Sequence, residues 1–402
     1  MSRENQSEHD HAIVRVAERA PRPTWPTWRS LPGLSGQGIA RRAAWTFERL
    51  IALPLAFPIA IALLSRAYSS ALLLVAPAFR QDPLPVLTAF RSPFLAWDAQ
   101  WFLSIARWGY HASPLQAGGI DGHYDFAFYP GWPGLVRFFG GLGIPIAPAA
   151  VVAANLLFIA ALVVIFAVLE HHFGTDSARR GVTLLAFSPA AYIFSMAYSE
   201  PLFLLLTGLY FLGRTRPLSP VLAGLAMLTR VTGLAIAVSA AVRWLRDRRD
   251  WPALLAVLTT GAVFAGWWLF IWRLTGDPAG WVKGSPSWQT VLGIPAILEI
   301  FQYWYTNWLF NVAFASVMLG GAIWLLRTNL ELGVYSAVAI AMSLLGAPVD
   351  SMPRHAMMAF PVFAFFGARL GHRKSVALAI GLALLQIWFV GLTQVGRPAL
   401  AP

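Results

Sequence analysis

Apolar runs close to the roughly 20-residue length of a membrane-spanning helix recur from residue 50 to the end of the chain. They lack the alternation of apolar and polar positions that is typical of the strands of a membrane barrel, so helices are the spanning structure that they favour. The pattern predicts an all-α polytopic membrane protein with roughly eleven hydrophobic segments.

The hydrophobic runs differ in length. Long runs predict spans at about 50–64 (with a helical continuation to Val75), 149–169, 252–274, 305–326, 331–348, 354–370 and 375–394. Between residues 182 and 244 the chain instead makes two pairs of short legs, and Ser188-Pro189 predicts a kink in the first of them. The turns between the legs carry Glu200 and Arg230, which we expect at the outer boundary and in a cavity open to the outside.

Basic residues mark the inner ends of these runs, as the positive-inside rule requires. Residues 1–45 are polar, rich in arginine and interrupted by proline, which predicts a cytoplasmic tail that is partly disordered. Residues 46–402 then form a single transmembrane domain. Its first extracytoplasmic loop covers about 77–128.

Helices that lie in the membrane interface are expected in and just after this loop. Ser92-Pro93 predicts a helix start, and from there Trp97, Trp101 and Trp108 share one face, with Asp98 beside it. Such an aromatic face suits a helix in the headgroup layer. A second interfacial or re-entrant helix is expected before residue 146.

The composition narrows the function classes. Charged residues make up 12% of the chain and hydrophobic residues 57%, whereas soluble domains carry about 25% charged residues. The formal net charge of +12 comes from arginines scattered between hydrophobic runs, which argues against nucleic acid as a partner. The chain has no cysteine, so it forms no disulfide and no thiolate metal site.

Ionisable residues at membrane depth are costly and indicate function by default. The predicted topology places one set of them on the outer face: Asp98, Asp121, Asp125, Glu200, Arg230, Lys283, Asp350 and Arg354. Carboxylates beside two deep arginines suit a substrate that carries both a phosphate and a lipid.

Glycosyl transfer from a polyprenyl-phosphate sugar fits this set of residues. Asp98 is the candidate general base for the acceptor hydroxyl, and Arg230 and Arg354 are candidates to bind the phosphate that leaves. Trp97 and Trp101 offer faces on which a sugar can stack.

Five ordered motifs between residues 90 and 365 then indicate a family. They are Trp97-Asp98-Ala99 with Gly109-Tyr110, Ala127-Phe128-Tyr129-Pro130, Ser188-Pro189 leading to Tyr198-Ser199-Glu200, Leu228-Thr229-Arg230 with Gly233, and Pro353-Arg354-His355. The loop Gly276-Asp277-Pro278 with Gln289 also fits. Together they resemble the PIG-V family, the second mannosyltransferases of GPI-anchor synthesis, and its bacterial relatives.

The resemblance implies a GT-C glycosyltransferase fold, a polyprenyl-phosphate-mannose donor and inversion at the anomeric carbon. It also implies that Asp98 is the base, because an aspartate in the first outer loop has this role in such folds. Tyr129, Glu200, Lys283 and His355 join the predicted substrate-binding residues. No cofactor and no metal are expected. The sugar and the lipid acceptor stay open.

Structural roles are the alternative for each of these residues. Asp98 would cap a helix, Glu200 would begin one, Arg230 would pair with a carboxylate, and Arg354 would pair with Asp350. Asp121, His123 and Asp125 are expected to be solvated loop residues, and a metal site built from them is a less favoured alternative.

Three alternative functions remain beside mannose transfer. They are transfer of another polyprenyl-phosphate sugar, transport or flipping of a lipid-linked sugar, and an inactive scaffold subunit. The flippase alternative is weakened because the chain shows no internal repeat. We expect a multi-pass protein of a bacterial plasma membrane with its active site outside, and with the sugar donor, a glycolipid acceptor and membrane lipids as partners.

Overall fold

A computed structural model describes residues 55–79, 92–113, 115–117, 120–284, 306–346 and 351–394. The predicted cytoplasmic tail 1–45, Gln289 and Asp350 lie outside these residues. The side chains of Asp121, His123 and Lys283 are likewise outside the described part, although their backbone belongs to a strand or a helix.

Helices dominate the described residues. They are α1 (Ala56–Val75), α2 (Asp98–Trp108), α3 (Gly131–Gly141), α4 (Ile146–Phe173), α5 (Thr175–Ala186), α6 (Glu200–Leu212), α7 (Ser219–Thr229) and α8 (Leu234–Arg246). They continue with α9 (Trp251–Thr275), α10 (Gly280–Gly284), α11 (Thr306–Thr328), α12 (Leu330–Gly346), α13 (Met352–Ala356) and α14 (Pro361–Gln394), which is broken at Gly371. A short antiparallel hairpin joins β1 (Leu115–Ala117) to β2 (Ile120–His123).

Five of the described helices are long and apolar enough to cross a membrane. They lie at Ala56–Val75, Ile146–Phe173, Trp251–Thr275, Phe310–Thr328 and Pro361–Gly391. These helices confirm the predicted all-α membrane fold class, whereas the count of eleven hydrophobic segments stays a prediction.

The short legs are helices too, and their length matters. At 1.5 Å per residue, α6 and α7 are about 20 Å and 17 Å long, and both are shorter than the roughly 30 Å apolar core of a bilayer. Glu200 is the first residue of α6, and Arg230 directly follows α7. The ends of these helices therefore place two charged side chains inside the packed helices.

The start of the loop helix differs from the prediction. Ser92–Leu95 is a separate 3₁₀ turn, and α2 begins only at Asp98. Trp97 has a φ of 51°, a left-handed conformation that cannot continue a helix from Ser92. The prediction that three tryptophans share one helix face is therefore wrong. Trp101 is 6% exposed and stacks on Phe128, and Trp108, in the last turn of α2, is 75% exposed.

The segment around Ser188-Pro189 is a break and not a kink within a helix. Helix α5 ends at Ala186, and a 3₁₀ turn follows at Ala191–Ser195. Proline has no backbone N–H and clashes with the preceding turn. Residues 188–200 are all buried, so an irregular segment lies at the centre of the packed helices.

Candidate active site

Four charged side chains from distant parts of the chain meet at the ends of short helices. Asp98 is the first residue of α2, Glu200 is the first residue of α6, Arg230 directly follows α7, and Arg354 lies in α13. We call these four residues the charge cluster. The sequence predicted that they share one side of the protein, and the structure brings them into direct contact.

Arg354 joins the two carboxylates of the charge cluster. Its Nε donates to Glu200 Oε1 and its Nη2 donates to Asp98 Oδ2. Arg230 approaches from the other side, with Nη1 2.7 Å from Glu200 Oε1 and 2.9 Å from Ser199 Oγ. Two negative and two positive charges therefore cancel, which is how buried charges are retained in a low-dielectric interior.

The members of the charge cluster differ in exposure. The Glu200 side chain is fully buried and that of Arg354 is 4% exposed, whereas the Asp98 side chain is 19% exposed. Asp98 is therefore the carboxylate of the cluster that a ligand can reach. Helix α2 has no side-chain cap, and the Asp98 carboxylate contacts Arg354, so the capping alternative is not what the structure shows.

The structure tests some of the purely structural roles that were the alternatives for the other members of the charge cluster. Glu200 does begin a helix, and Arg230 does pair with a carboxylate. Arg354 pairs with Asp98 and Glu200, which are far from it in sequence, and its alternative partner Asp350 lies outside the described residues.

His355 is the neutral neighbour of the charge cluster. Arg230 Nη2 lies 3.0 Å from His355 Nδ1, and because a guanidinium only donates, this ring nitrogen must accept. Burial and the positive charges of Arg230 and Arg354 lower the pKa of His355 well below its usual value. The imidazole is therefore neutral, with its proton on Nε2.

This lowered pKa predicts a pH dependence of stability. Below about pH 6.5 the unfolded chain binds a proton at His355 that the folded protein does not bind, so the free energy of unfolding should fall as the pH falls. For one proton the slope reaches about 1.4 kcal/mol per pH unit. Unfolding of wild type and of His355→Gln, measured between pH 7 and pH 5, isolates this contribution, because other histidines titrate equally in both. Equal slopes would contradict the assignment.

An aromatic ring supports the charge cluster. The Arg354 guanidinium carbon lies 4.6 Å from the centroid of the buried Tyr198 ring, a distance at which a cation is attracted to a ring face. Tyr198 and Ser199 belong to the motif Tyr198-Ser199-Glu200, but neither was among the predicted site residues. Their position directly before Glu200 was the available signal.

The glycine of the Arg230 motif has a packing role. A Cβ at Gly233 would lie 2.5 Å from the backbone Cα of Met227, which is closer than two non-bonded carbon atoms can approach. The turn Val231–Gly233 therefore folds tightly against α7, and this turn holds Arg230 in its position.

Other predicted site residues lie apart from the charge cluster. Trp97 is half-buried just before Asp98, and its strained backbone sets the direction in which α2 starts. Tyr129 is buried in a separate aromatic group, with its ring centroid 5.5 Å from that of Trp267. Tyr129 therefore does not act through direct contact with Asp98.

Asp125 has a partner that the sequence did not suggest. Its carboxylate lies 2.8 Å from His111 Nδ1 and accepts from the His111 backbone N–H. Burial raises the pKa of Asp125, while the contacts with His111 oppose that rise. Asp125 is buried and not the solvated loop residue that was expected. In the part of the chain that the structure describes, no group of three metal-binding side chains is found.

Comparisons with known proteins give similarities of unequal weight. Two GPI mannosyltransferase 2 sequences, from two strains of Cryptococcus neoformans var. neoformans serotype D, are each 32% identical over 176 residues. These matches cover 39% of this chain and 38% of each relative. The chain thus aligns with less than half the length of these curated relatives.

Solved structures resemble the chain only weakly. ArnT from Cupriavidus metallidurans, bound to undecaprenyl phosphate, has a TM-score of 0.47 and 14% identity, covering 80% of this chain and 63% of ArnT. An Archaeoglobus fulgidus oligosaccharyltransferase tethered to an acceptor peptide has a TM-score of 0.45 and 12% identity. The similarity covers 84% of this chain and 54% of the oligosaccharyltransferase chain.

A family model gives the decisive match. The model of the mannosyltransferases described as PIG-V matches residues 44–244, half of the chain. The matched region includes Asp98, Glu200 and Arg230, and Arg354 lies beyond it. This match confirms the resemblance to the PIG-V family that the motifs indicated. The chain belongs to the mannosyltransferase (PIG-V) family.

Proposed function

We propose that this protein is an integral-membrane glycosyltransferase that moves mannose from a polyprenyl-phosphate-mannose donor to a hydroxyl of a lipid or glycolipid. The observation that carries the proposal is the charge cluster, in which Asp98 is the reachable carboxylate beside the buried Arg354 and the partly buried Arg230. Family membership supports the reaction class. The site faces the extracytoplasmic side of a plasma membrane in this proposal, as the distribution of basic residues favours.

The chemical step needs one base and one site for a leaving anion. Asp98 accepts the proton of the acceptor hydroxyl while that oxygen bonds to the anomeric carbon of mannose. The bond from this carbon to the phosphate oxygen breaks, and the polyprenyl phosphate leaves with the electron pair. Attack opposite the leaving group inverts the anomeric carbon. Arg354 and Arg230 supply positive charge for the phosphate, so we propose a reaction without cofactor or metal.

The contacts in the charge cluster suggest an order of events. Arg354 engages Asp98 in the structure, so one oxygen of this carboxylate is occupied before a ligand arrives. A donor phosphate that binds Arg354 competes with Asp98 for the same guanidinium. Donor binding would therefore release Asp98 to act as a base, and the acceptor would react second.

A transfer assay tests this function. The protein in lipid nanodiscs is incubated with polyprenyl-phosphate-mannose labelled in the sugar and with a lipid extract, and the products are separated. We expect labelled mannose in a new lipid, with the same yield after treatment with a chelator. Polyprenyl-phosphate-glucose is the matched donor, and faster transfer from it would replace mannose by glucose in the proposal.

A second assay separates transfer from transport and determines the side of the reaction. Proteoliposomes of known protein orientation receive the labelled donor in the outer leaflet only. Transfer by molecules whose loop 77–128 faces the donor supports the proposal. Movement of unchanged donor to the inner leaflet, without any new product, would overturn it in favour of a flippase.

A further inference from the structure

Arg66 is a buried cation that the proposed reaction does not use. It lies in α1, one of the helices long enough to cross a membrane, and it is 4% exposed. None of the described carboxylates pairs with its guanidinium, which instead faces the rings of Phe158 and Phe194 at 4.4 and 5.7 Å from their centroids. An unpaired charge inside a membrane helix is costly and indicates function.

The hydrogen bonds of Arg66 reach the irregular segment that follows α5. Its Nη1 donates to the Ala191 carbonyl oxygen at 3.0 Å and to Ser195 Oγ at 2.9 Å. These two residues are the first and the last of the 3₁₀ turn Ala191–Ser195. One guanidinium nitrogen therefore bridges both ends of this turn.

Further polar side chains extend this contact into two other long helices. Ser195 Oγ donates to Asn155 Oδ1 of α4 at 3.1 Å. Ser69, about one turn after Arg66, donates to Gln386 Oε1 of α14 at 2.9 Å, and Gln386 Nε2 donates to the Ser188 carbonyl oxygen at 2.8 Å. Polar contacts from three helices thus hold the segment from Ser188 to Ser195 inside an apolar interior.

That segment leads directly into the charge cluster. Only four residues separate Ser195 from Glu200 at the start of α6. One of the four is Tyr198, whose buried ring lies against the Arg354 guanidinium. A shift of the turn Ala191–Ser195 would therefore move both the Tyr198 ring and the Glu200 carboxylate.

We propose that Arg66 is a positioning residue for the transfer reaction. It holds the turn Ala191–Ser195 so that Glu200 meets both arginines of the charge cluster, and it does so without touching the substrate. This inference rests on the proposed function, because it concerns the rate of the same reaction.

Stability alone does not account for an arginine at this place. A buried cation that has no carboxylate partner among the described residues loses its hydration and gains no ion pair from them in return. Arg66 Nε has no hydrogen-bond partner among the described residues, which adds to the cost. Arg66 instead fixes the geometry of the turn Ala191–Ser195.

The test compares Arg66→Met, which keeps most of the length of the side chain, with wild type. We expect Arg66→Met to melt at the same or a higher temperature, while kcat for mannose transfer falls about tenfold or more, since small displacements of reacting groups lower rates steeply. The KM for the donor should change less than about twofold, because the binding groups remain. Arg66→Lys, which retains one donor for the turn, should recover part of kcat.

Arg179→Met is the matched control. Arg179 also lies over an aromatic ring of α1, 5.5 Å from the Phe57 centroid, but it is exposed and lies away from the turn. We expect its kcat to equal that of wild type. A parallel loss of melting temperature and kcat in Arg66→Met, without recovery in Arg66→Lys, would overturn the positioning role.

Hydrogen exchange keeps this inference distinct from the proposed function. Backbone amides of residues 191–200 should exchange faster in Arg66→Met than in wild type, whether or not the assay detects transfer. Unchanged exchange over this segment would overturn the positioning role. Absence of transfer by wild type, with faster exchange in the variant, would instead contradict the proposed function.

Discussion

Replacing Asp98 by asparagine is expected to lower kcat for mannose transfer by about 10²- to 10⁴-fold, the range in which a general base contributes. The amide has nearly the same size as the carboxylate, so it fits beside Arg354, but it cannot take up the proton of the acceptor hydroxyl. Initial rates with saturating donor and acceptor measure the effect. Since the donor site keeps both arginines, the KM for the donor should change little.

Two comparisons make the Asp98 result specific. Asp125→Asn alters another carboxylate of the same loop, one that contacts His111 and not the charge cluster, and we expect its kcat to stay within about threefold of wild type. A rate in Asp98→Asn above half of the wild-type rate would exclude Asp98 as the base. A large rise in the donor KM at unchanged kcat would assign Asp98 to the positioning of Arg354 instead.

Replacing Glu200 by glutamine is expected to destabilise the protein by about 3–5 kcal/mol, as is usual when one partner of a buried ion pair is removed. Both guanidiniums of the charge cluster contact Glu200 Oε1, and the variant leaves them with Asp98 as their one remaining carboxylate in the cluster. Unfolding in a mild detergent, followed by tryptophan fluorescence, gives the change in free energy.

The double variant Glu200→Gln/Arg230→Gln tests the pairing directly. It removes one charge of each sign, so its loss of stability should be smaller than the sum of the two single losses. Additive losses would show that the Glu200–Arg230 contact contributes nothing.

Glu331→Gln is a matched control for activity. Glu331 also contacts two arginines, Arg214 and Arg243, each at 2.9 Å, but this group lies outside the charge cluster. The Glu331→Gln substitution should lower the stability of the protein and leave kcat of the folded fraction unchanged, whereas Glu200→Gln should lower both stability and kcat. Loss of kcat in Glu331→Gln would mean that kcat reports stability and not the site.

The sequence predicted those features of the fold that depend on a local pattern of residues. Apolar runs predicted the long helices, because the length of a run and its hydropathy follow from the membrane alone. The alternation of basic loops placed Asp98, Glu200, Arg230 and Arg354 on one side. Their ion pairs were not predictable in the same way. Asp350, four residues away, was the partner that the structural alternative gave to Arg354, whereas the pairing of Arg354 with Asp98, 256 residues away, was not predicted. Tertiary packing determines such a contact.

Local rules also failed where the chain is irregular. Ser92-Pro93 is a good helix start, but the left-handed backbone of Trp97 separates it from α2. Arg66 was missed although an arginine inside an apolar run was a visible signal. Its partners in the turn Ala191–Ser195 could not be inferred, because one is a backbone carbonyl, which every residue has, and the other is a serine 129 residues away.

The spacing of the charge cluster along the chain also bears on its biosynthesis. Glu200 and Arg230 can pair as soon as the ribosome has delivered α6 and α7 to the membrane. Asp98 emerges much earlier, and its partner Arg354 follows only after α12. A nascent chain that stops before α13 therefore retains an excess negative charge among its helices. The arrival of Arg354 completes the neutralisation, so correct assembly of the early helices waits for α13.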